Sequence, residues 1–481
     1  MKHSYLYLIL PLVALACQPQ FDMVPPGSNA TVAQEFSDNW YVTLNGSGSK
    51  SGVDWNNALP FKQFLKMISN PSTNLSDAGI HIQEGTYVVP EKDGFFEITK
   101  DVLCIRGGYS KTLEFDDLSK CDPALYPTVF TGDVNKNDVA DDGDGAFCIV
   151  KGGVVRFENI TFTHFYKSAE MNSKTEGKGG AVFGVDGPYL TTSLECINCQ
   201  FIGNVNGVAG TSGHEGGAAC FIHQGYFKAR NCIFKGNAAN SRGGAIRCGG
   251  KQSVLFMDRC FFTGNSITGE WGSAVQLSEG VVCANNCTMV GNQGKGSTLN
   301  GGGAFFLSNN TIIDNSAPNG TSNAAFRCES KTDRGSILIN NVLFNENLEG
   351  YGLILNSNGT YKSRGSNVVK SISLGNGCTD PSAGEDFLVE SVKPMVLQGK
   401  VEDNCFVWDI AQVQSGLKSY VMEDDVYNAA VEFDPSAYCS IAVLGRAYAT
   451  WVTPASFSKD GRGEDRGEDG FQPGSYDPNL D

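Results

Sequence analysis

Between residues 155 and 350 the chain places large apolar side chains two apart in short runs, the spacing of one face of a β-strand, and closes each run with Gly or Asn. One seven-residue pattern carries this: Asn198-Cys199-Gln200-Phe201-Ile202-Gly203-Asn204, then Asn231 to Asn237, Arg259 to Asn265 and Asn286 to Asn292. Looser copies run from Asn309 to Asn315 and from Asn341 to Asn347, and Asn159-Ile160-Thr161-Phe162 is an early copy without the closing Asn. The closing Asn residues at 204, 237, 265, 292 and 315 are 33, 28, 27 and 23 residues apart. That drift excludes a strict array and suits a coil whose strands are fixed and whose loops vary.

A second motif interleaves with the first. Gly179-Gly180-Ala181-Val182 returns at Gly216, Gly243, Gly272 and Gly302, and finally as Asn323-Ala324-Ala325-Phe326. By parity its fourth and sixth residues point inward, while the fifth (Phe183, Cys220, Arg247, Gln276, Phe306 and Arg327) points outward. The stretch from Gly243 to Asn265 reads as three short strands with Gly and Asn at the corners, where positive φ is cheap. Three strands per coil predict an all-β right-handed parallel β-helix. Asn204, Asn237, Asn265, Asn292 and Asn315 would then form a ladder with a rise of ~4.8 Å per coil.

The ends read differently. From Leu59 to Ile68, apolar residues at Phe61, Phe64, Leu65 and Ile68 follow helical spacing, with Pro60 in the first turn, which predicts a short N-terminal capping helix. The first 16 residues carry a short positive start and an apolar run too brief to span a bilayer. Ala14-Leu15-Ala16-Cys17 resembles a bacterial lipobox, with Ala14 where Leu is usual, and predicts a lipoprotein signal peptide at 1–16 and lipidation at Cys17. The expected organisation continues with a tether at 17–37, the β-helix with its cap at 38–377, final coils or a C-terminal cap at 378–458, and a mobile charged tail at 459–481.

Composition narrows the partners. Of 481 residues, 58 are Gly, well above the usual ~7%, and only 18% are charged, as expected of a β-rich chain with many turns. A net charge of −16 argues against nucleic acid as a partner. The 16 cysteines leave 15 once Cys17 is set aside, an odd number. Cys199, Cys232, Cys260 and Cys287 would stack as buried thiols, and Cys104 with Cys121, flanking a loop, is the more plausible disulfide.

The Gly-Gly-Ala-Ile and Phe-x-x-Asn motifs resemble the repeats of chlamydial-type polymorphic outer-membrane proteins. Trp40 to Asp54-Trp55, Gly85-Thr86-Tyr87, Gly107-Gly108-Tyr109 and Pro127 to Asp133 follow in the order seen in pectin-lyase-like bacterial surface proteins, and Pro473-Gly474-Ser475-Tyr476 resembles their closing motif. The resemblance implies a parallel β-helix on a bacterial outer membrane, held there by the lipid on Cys17. It does not imply one activity. The reading drawn from it is a non-catalytic protein of adhesion or glycan binding, whose partner is a polysaccharide or another surface ligand. The alternative is a carbohydrate-active enzyme, a polysaccharide lyase or glycoside hydrolase.

Two places offer chemistry. Asp133, Asn135, Asn137, Asp141 and Asp144 space oxygen ligands as in a calcium loop, although Asp138 stands at the sixth position, where Gly is needed, and Asp144 at the twelfth, where Glu is needed. If the chain is an enzyme, Arg247 and Arg327 on the outward face, with His214, Glu215 and Glu270 in nearby turns, are the catalytic candidates. Otherwise these are charges on a solvated face. No cofactor other than calcium is indicated.

Overall fold

The computed structural model describes residues 36–374, apart from 76, 90–93, 101, 113–117, 119, 188–191, 209–215, 270, 318–322, 330–335, 345–352, 356–361, 365–366 and 370–371. Beyond these it describes 387–388, 400–402, 405–407, 423–433 and Phe457. The signal segment, Cys17, the tether before Phe36 and the tail at 459–481 lie outside the described residues. Phe36, the first of them, already packs against Val102 and Cys104.

The fold is a parallel β-helix. Nearly every described pairing between strands is parallel, and each joins one coil to the next. Three ladders run along it. The third, an eleven-stranded sheet, begins at Gly85–Val88 and contains the Cys-x-Phe strands, such as Gln200–Ile202, Ile233–Lys235 and Phe261–Thr263. The first and second ladders merge into one sheet because two long strands, Cys220–Arg230 and Ile246–Asp258, bend from one to the other. The strands expected at 244–248 and 253–257 therefore fall in one continuous strand. Four two-residue strands, Tyr166–Lys167, Val205–Asn206, Ala238–Ala239 and Ser266–Ile267, add a small fourth ladder.

The interior is built of stacked copies. Phe162, Phe201, Phe234 and Phe262 lie over one another with ring centroids 5.2, 4.8 and 4.5 Å apart. The Asn ladder is complete and fully buried: the amides of Asn204, Asn237, Asn265 and Asn292 each donate to the next Asn Oδ1 at 2.8–2.9 Å. Each amide also donates to a carbonyl of the preceding coil, so a corner that turns the backbone leaves no orphaned polar group. Gly203, Gly236, Gly264 and Gly291 precede these corners at φ of 63 to 67°.

A second inward corner changes residue type along the stack. Cys199, Cys232 and Cys260 each direct Sγ to a carbonyl of the preceding coil at 3.3–3.4 Å. Asn310, Asn341 and Asn367 take the same position and donate Nδ2 to the equivalent carbonyls at 2.8–3.1 Å. Cys104 and Cys121 are both free thiols, so the expected disulfide between those two is not formed. Burial pushes the Cys148, Cys220 and Cys248 thiols up, which keeps them protonated and unreactive.

Three register expectations are corrected. Cys220 pairs with Ile246, so Phe183 and Cys220 face the core instead of solvent. Gly302-Gly303-Ala304-Phe305 belongs to the second ladder, where Ala304–Ser308 pairs with Val281–Asn285; the first-ladder strand of that coil is Gly296–Gly301. The last Asn copy starts at Asn340, so that Leu343 stacks on Ile312.

Helix α1 (Phe61–Ser69) is the expected cap. Phe61, Phe64, Leu65 and Ile68 are buried in the main core, and Phe61 meets Tyr87 and Phe130. Helix α2 (Ala169–Lys174) lies in a loop between coils, N-capped by Ser168. Helix α3 (Glu423–Glu432) lies against the flank of the stack. With Phe433 and Phe457 it covers the outer face of the second ladder.

Candidate functional site

The sequence places its catalytic candidates on the outer face of the first ladder. Register there aligns Phe221, Arg247, Gln276, Asn300 and Arg327 in successive coils, each a step of ~4.8 Å. Arg247 and Arg327 thus share a row, as expected. Phe221 and Asn300 belong to it too and were missed. Asn300 sits in Ser297-Thr298-Leu299-Asn300, which lacks the Gly-Gly-Ala signature, and only pairing with neighbouring coils reveals it. His214, Glu215 and Glu270 lie outside the described residues.

The row is not a solvated face. Arg247 is 1% exposed. Its guanidinium lies 5.5 Å from the Phe221 ring centre, and Nη2 approaches Ser278 Oγ at 3.5 Å. Its stem runs against the backbones of Gly216 and Gly243: a Cβ on Gly216 would stand 3.0 Å from Arg247 Cδ and only 1.8 Å from Arg242 O. Gln276 is buried beside it, Nε2 donating to Ser278 Oγ. Half-buried Trp271 flanks the row, with the guanidiniums of Arg242 and Arg327 at 5.1 and 5.3 Å from its ring centre.

The acidic loop between Thr128–Thr131 and Cys148–Val150 is tightly self-bonded. Asp133 accepts backbone N–H groups from Asn137 and Asp138, and Asp144 accepts those of Val134 and Asp141. The amides of Asn135 and Asn137 donate to Asp141. Asp138 takes φ of +58°, the left-handed turn for which the sixth loop position uses Gly. Burial raises the Asp144 pKa, against the N–H bonds it accepts. The structure also brings together a set the sequence did not suggest: Asp133, Asp138 and His164 each offer a ligand atom within 4.8 Å of the others. His164 comes from the next coil, at the corner where Gly203 stands in the coil after it, so no linear spacing reveals it.

The outer face of the second ladder carries a buried ionic row. Arg106 pairs with Glu158, Arg156 with Glu158 and Glu195, and Lys228 with Glu195. Burial alone would raise the Glu195 carboxyl, but Lys228 and Arg156 hold it well below the usual carboxylate range. His81, between Tyr109 OH and Asn39 Oδ1, is pushed down to about 3 by burial and by Arg106.

No family model matches the chain, and no curated protein matches it. Among solved structures it is similar to the crystal structure of pectate lyase Pel9A, with a TM-score of 0.39 and 12% identity, over 78% of this chain and 86% of that chain.

Proposed function

We propose that the chain is a lipid-anchored protein of a bacterial outer-membrane surface whose β-helix binds glycan without cleaving it. The observation that carries the reading is the first-ladder row, in which Arg247, Gln276, Asn300 and Arg327 succeed one another beside Trp271. The half-buried edge of this row, where the guanidiniums of Arg242 and Arg327 lie against Trp271, offers N–H donors and an aromatic face to a polymer rich in oxygen acceptors. Lyase chemistry needs a base at the reacting carbon, and hydrolase chemistry needs carboxylates flanking the scissile bond. Arg247, the residue best placed in sequence to be that base, is packed over Phe221. Anchoring draws its support from Ala14 to Cys17 and surface exposure from the family resemblance.

A glycan array with the full chain tests the reading. Binding of one or more glycans, with no unsaturated or reducing-end product released from a polysaccharide panel, is the expected result. A blank array overturns the binding reading, and product release lost on Arg247→Ala overturns its non-catalytic part. Lipidation is checked separately by fatty-acid labelling, which Cys17→Ala should abolish.

A further inference from the structure

The outer row of the first ladder holds donors that the protein itself does not satisfy. Asn300 stands between Gln276 and Arg327 in register. It is 1% exposed, and its amide nitrogen has no hydrogen-bond partner. Arg327 Nε, one coil on, is also buried without a hydrogen bond: Glu329 Oε1 lies 3.1 Å away, close enough for an ion pair but out of line. Arg327 reaches back past the coil of Asn300 to Trp271, where Arg242 also lies against the ring. Native proteins rarely bury an N–H without an acceptor, because its lost hydration is not replaced. Here the two groups lie in adjacent coils, and Arg327 shares the Trp271 ring with a second guanidinium, that of Arg242; cations held against an aromatic face are pre-oriented. Two oxygen acceptors would satisfy both groups, and an anionic one would also suit Arg242, since Glu329 is an ion-pair partner of Arg327 alone.

We propose that Arg242, Trp271, Asn300 and Arg327 form an anion subsite that takes the acidic group, carboxylate or sulfate, of a glycan. The proposal rests on the glycan-binding reading and names its ligand class. Charge-assisted hydrogen bonds from a guanidinium to a carboxylate or sulfate are short and directional. The net charge of −16 repels a polyanion at long range. Recognition is therefore local and survives moderate salt, unlike binding that depends on steering.

The test is titration of the full chain, at low and moderate salt, with polygalacturonate and its carboxyl-reduced neutral form, and with chondroitin sulfate and its desulfated form. Wild type should bind at least one acidic polymer about tenfold or more tighter than its neutral counterpart. Asn300→Asp, which puts a carboxylate beside Arg327 in register, should lose that preference while melting no lower than wild type. Arg242→Gln, at a half-buried position, should weaken the preference with the fold intact. Equal binding of acidic and neutral forms overturns the anion subsite and leaves glycan binding standing. Binding of neither, with a blank array, overturns both. A preference that survives both substitutions overturns the placement at these residues.

Discussion

The outer face of the second ladder has two halves built on one lattice. Toward the N-terminus it carries the ionic row Arg106–Glu158–Arg156–Glu195–Lys228. Toward the C-terminus the strand position of Arg156, Glu195 and Lys228 holds Phe256, Cys283, Phe306 and Ile337, covered by Val426, Ala430, Phe433 and Phe457. Lys228 and Phe256 are direct neighbours in register, so the change falls within one coil step. Beneath both halves the core stays apolar and runs without a break from α1 to Val369. The comparison teaches that stacking fixes the inside of this fold and leaves the outside free: one coil spacing supports a chain of ion pairs or a docking face for the chain's own later segment.

Substitutions can break or sharpen that contrast. Asn265→Leu attacks what the halves share. It removes the amide donor to the Phe234 carbonyl and to Asn292 Oδ1 and the acceptor of the Asn237 backbone and side-chain N–H groups, and should cost about 5 kcal/mol in chemical denaturation. Phe433→Asp attacks only the apolar half and should cost about 3 kcal/mol. Hydrogen exchange should then show lost protection in 423–433 and retained protection in the third ladder; loss throughout would mean that the cover is needed for the stack itself. Arg156→Met attacks only the ionic half. It leaves Glu195 with Lys228 alone and should cost about 2 kcal/mol, since an abandoned buried charge is destabilising. Arg156→Met combined with Glu195→Leu should recover part of that loss; a further loss would show that the row is stronger than an apolar face.

The last effect is a pH slope, small near neutral pH. His81 is neutral in the folded chain down to about pH 3, whereas in the unfolded chain it takes up a proton near pH 6.5. Between these values the unfolded state binds more protons. Stability should therefore fall as pH drops from about 6.5 toward 3, by up to about 1.4 kcal/mol per unit. Melting curves of His81→Asn across that window should have the shallower slope. Glu195 acts at lower pH: its carboxyl is held down in the fold, so its contribution is present above the usual carboxylate range and is lost only on stronger acidification.

Much of the fold was legible because solenoid positions repeat. The Cys-x-Phe parity, the Asn corners and the apolar face of α1 are local patterns, and each appears in the structure where the sequence puts it. The errors came where a local signal had to be carried across a coil. Gly302-Gly303-Ala304-Phe305 looks like a first-ladder motif and lies in the second, and Asn341 looks like a corner residue when Asn340 holds it, at φ of 57°. A one-residue shift leaves composition and pattern almost unchanged yet reverses every side chain. Candidate-site residues were harder still. Arg247 and Arg327 were found because they share a motif position, whereas Asn300, Trp271 and His164 have no such mark.

The sequence by itself determined the strand period, the inward Phe stack, the Asn ladder and the capping helix, because each depends on residues within one coil and recurs in the next. Only the tertiary structure decided the register between coils, the corner that passes from thiol to amide at Asn310, the helix laid on the apolar half of the second ladder, and the gathering of Arg242, Trp271, Asn300 and Arg327. These depend on which residues of different coils become neighbours at ~4.8 Å. Loops of unequal length set that pairing, and no local pattern records it.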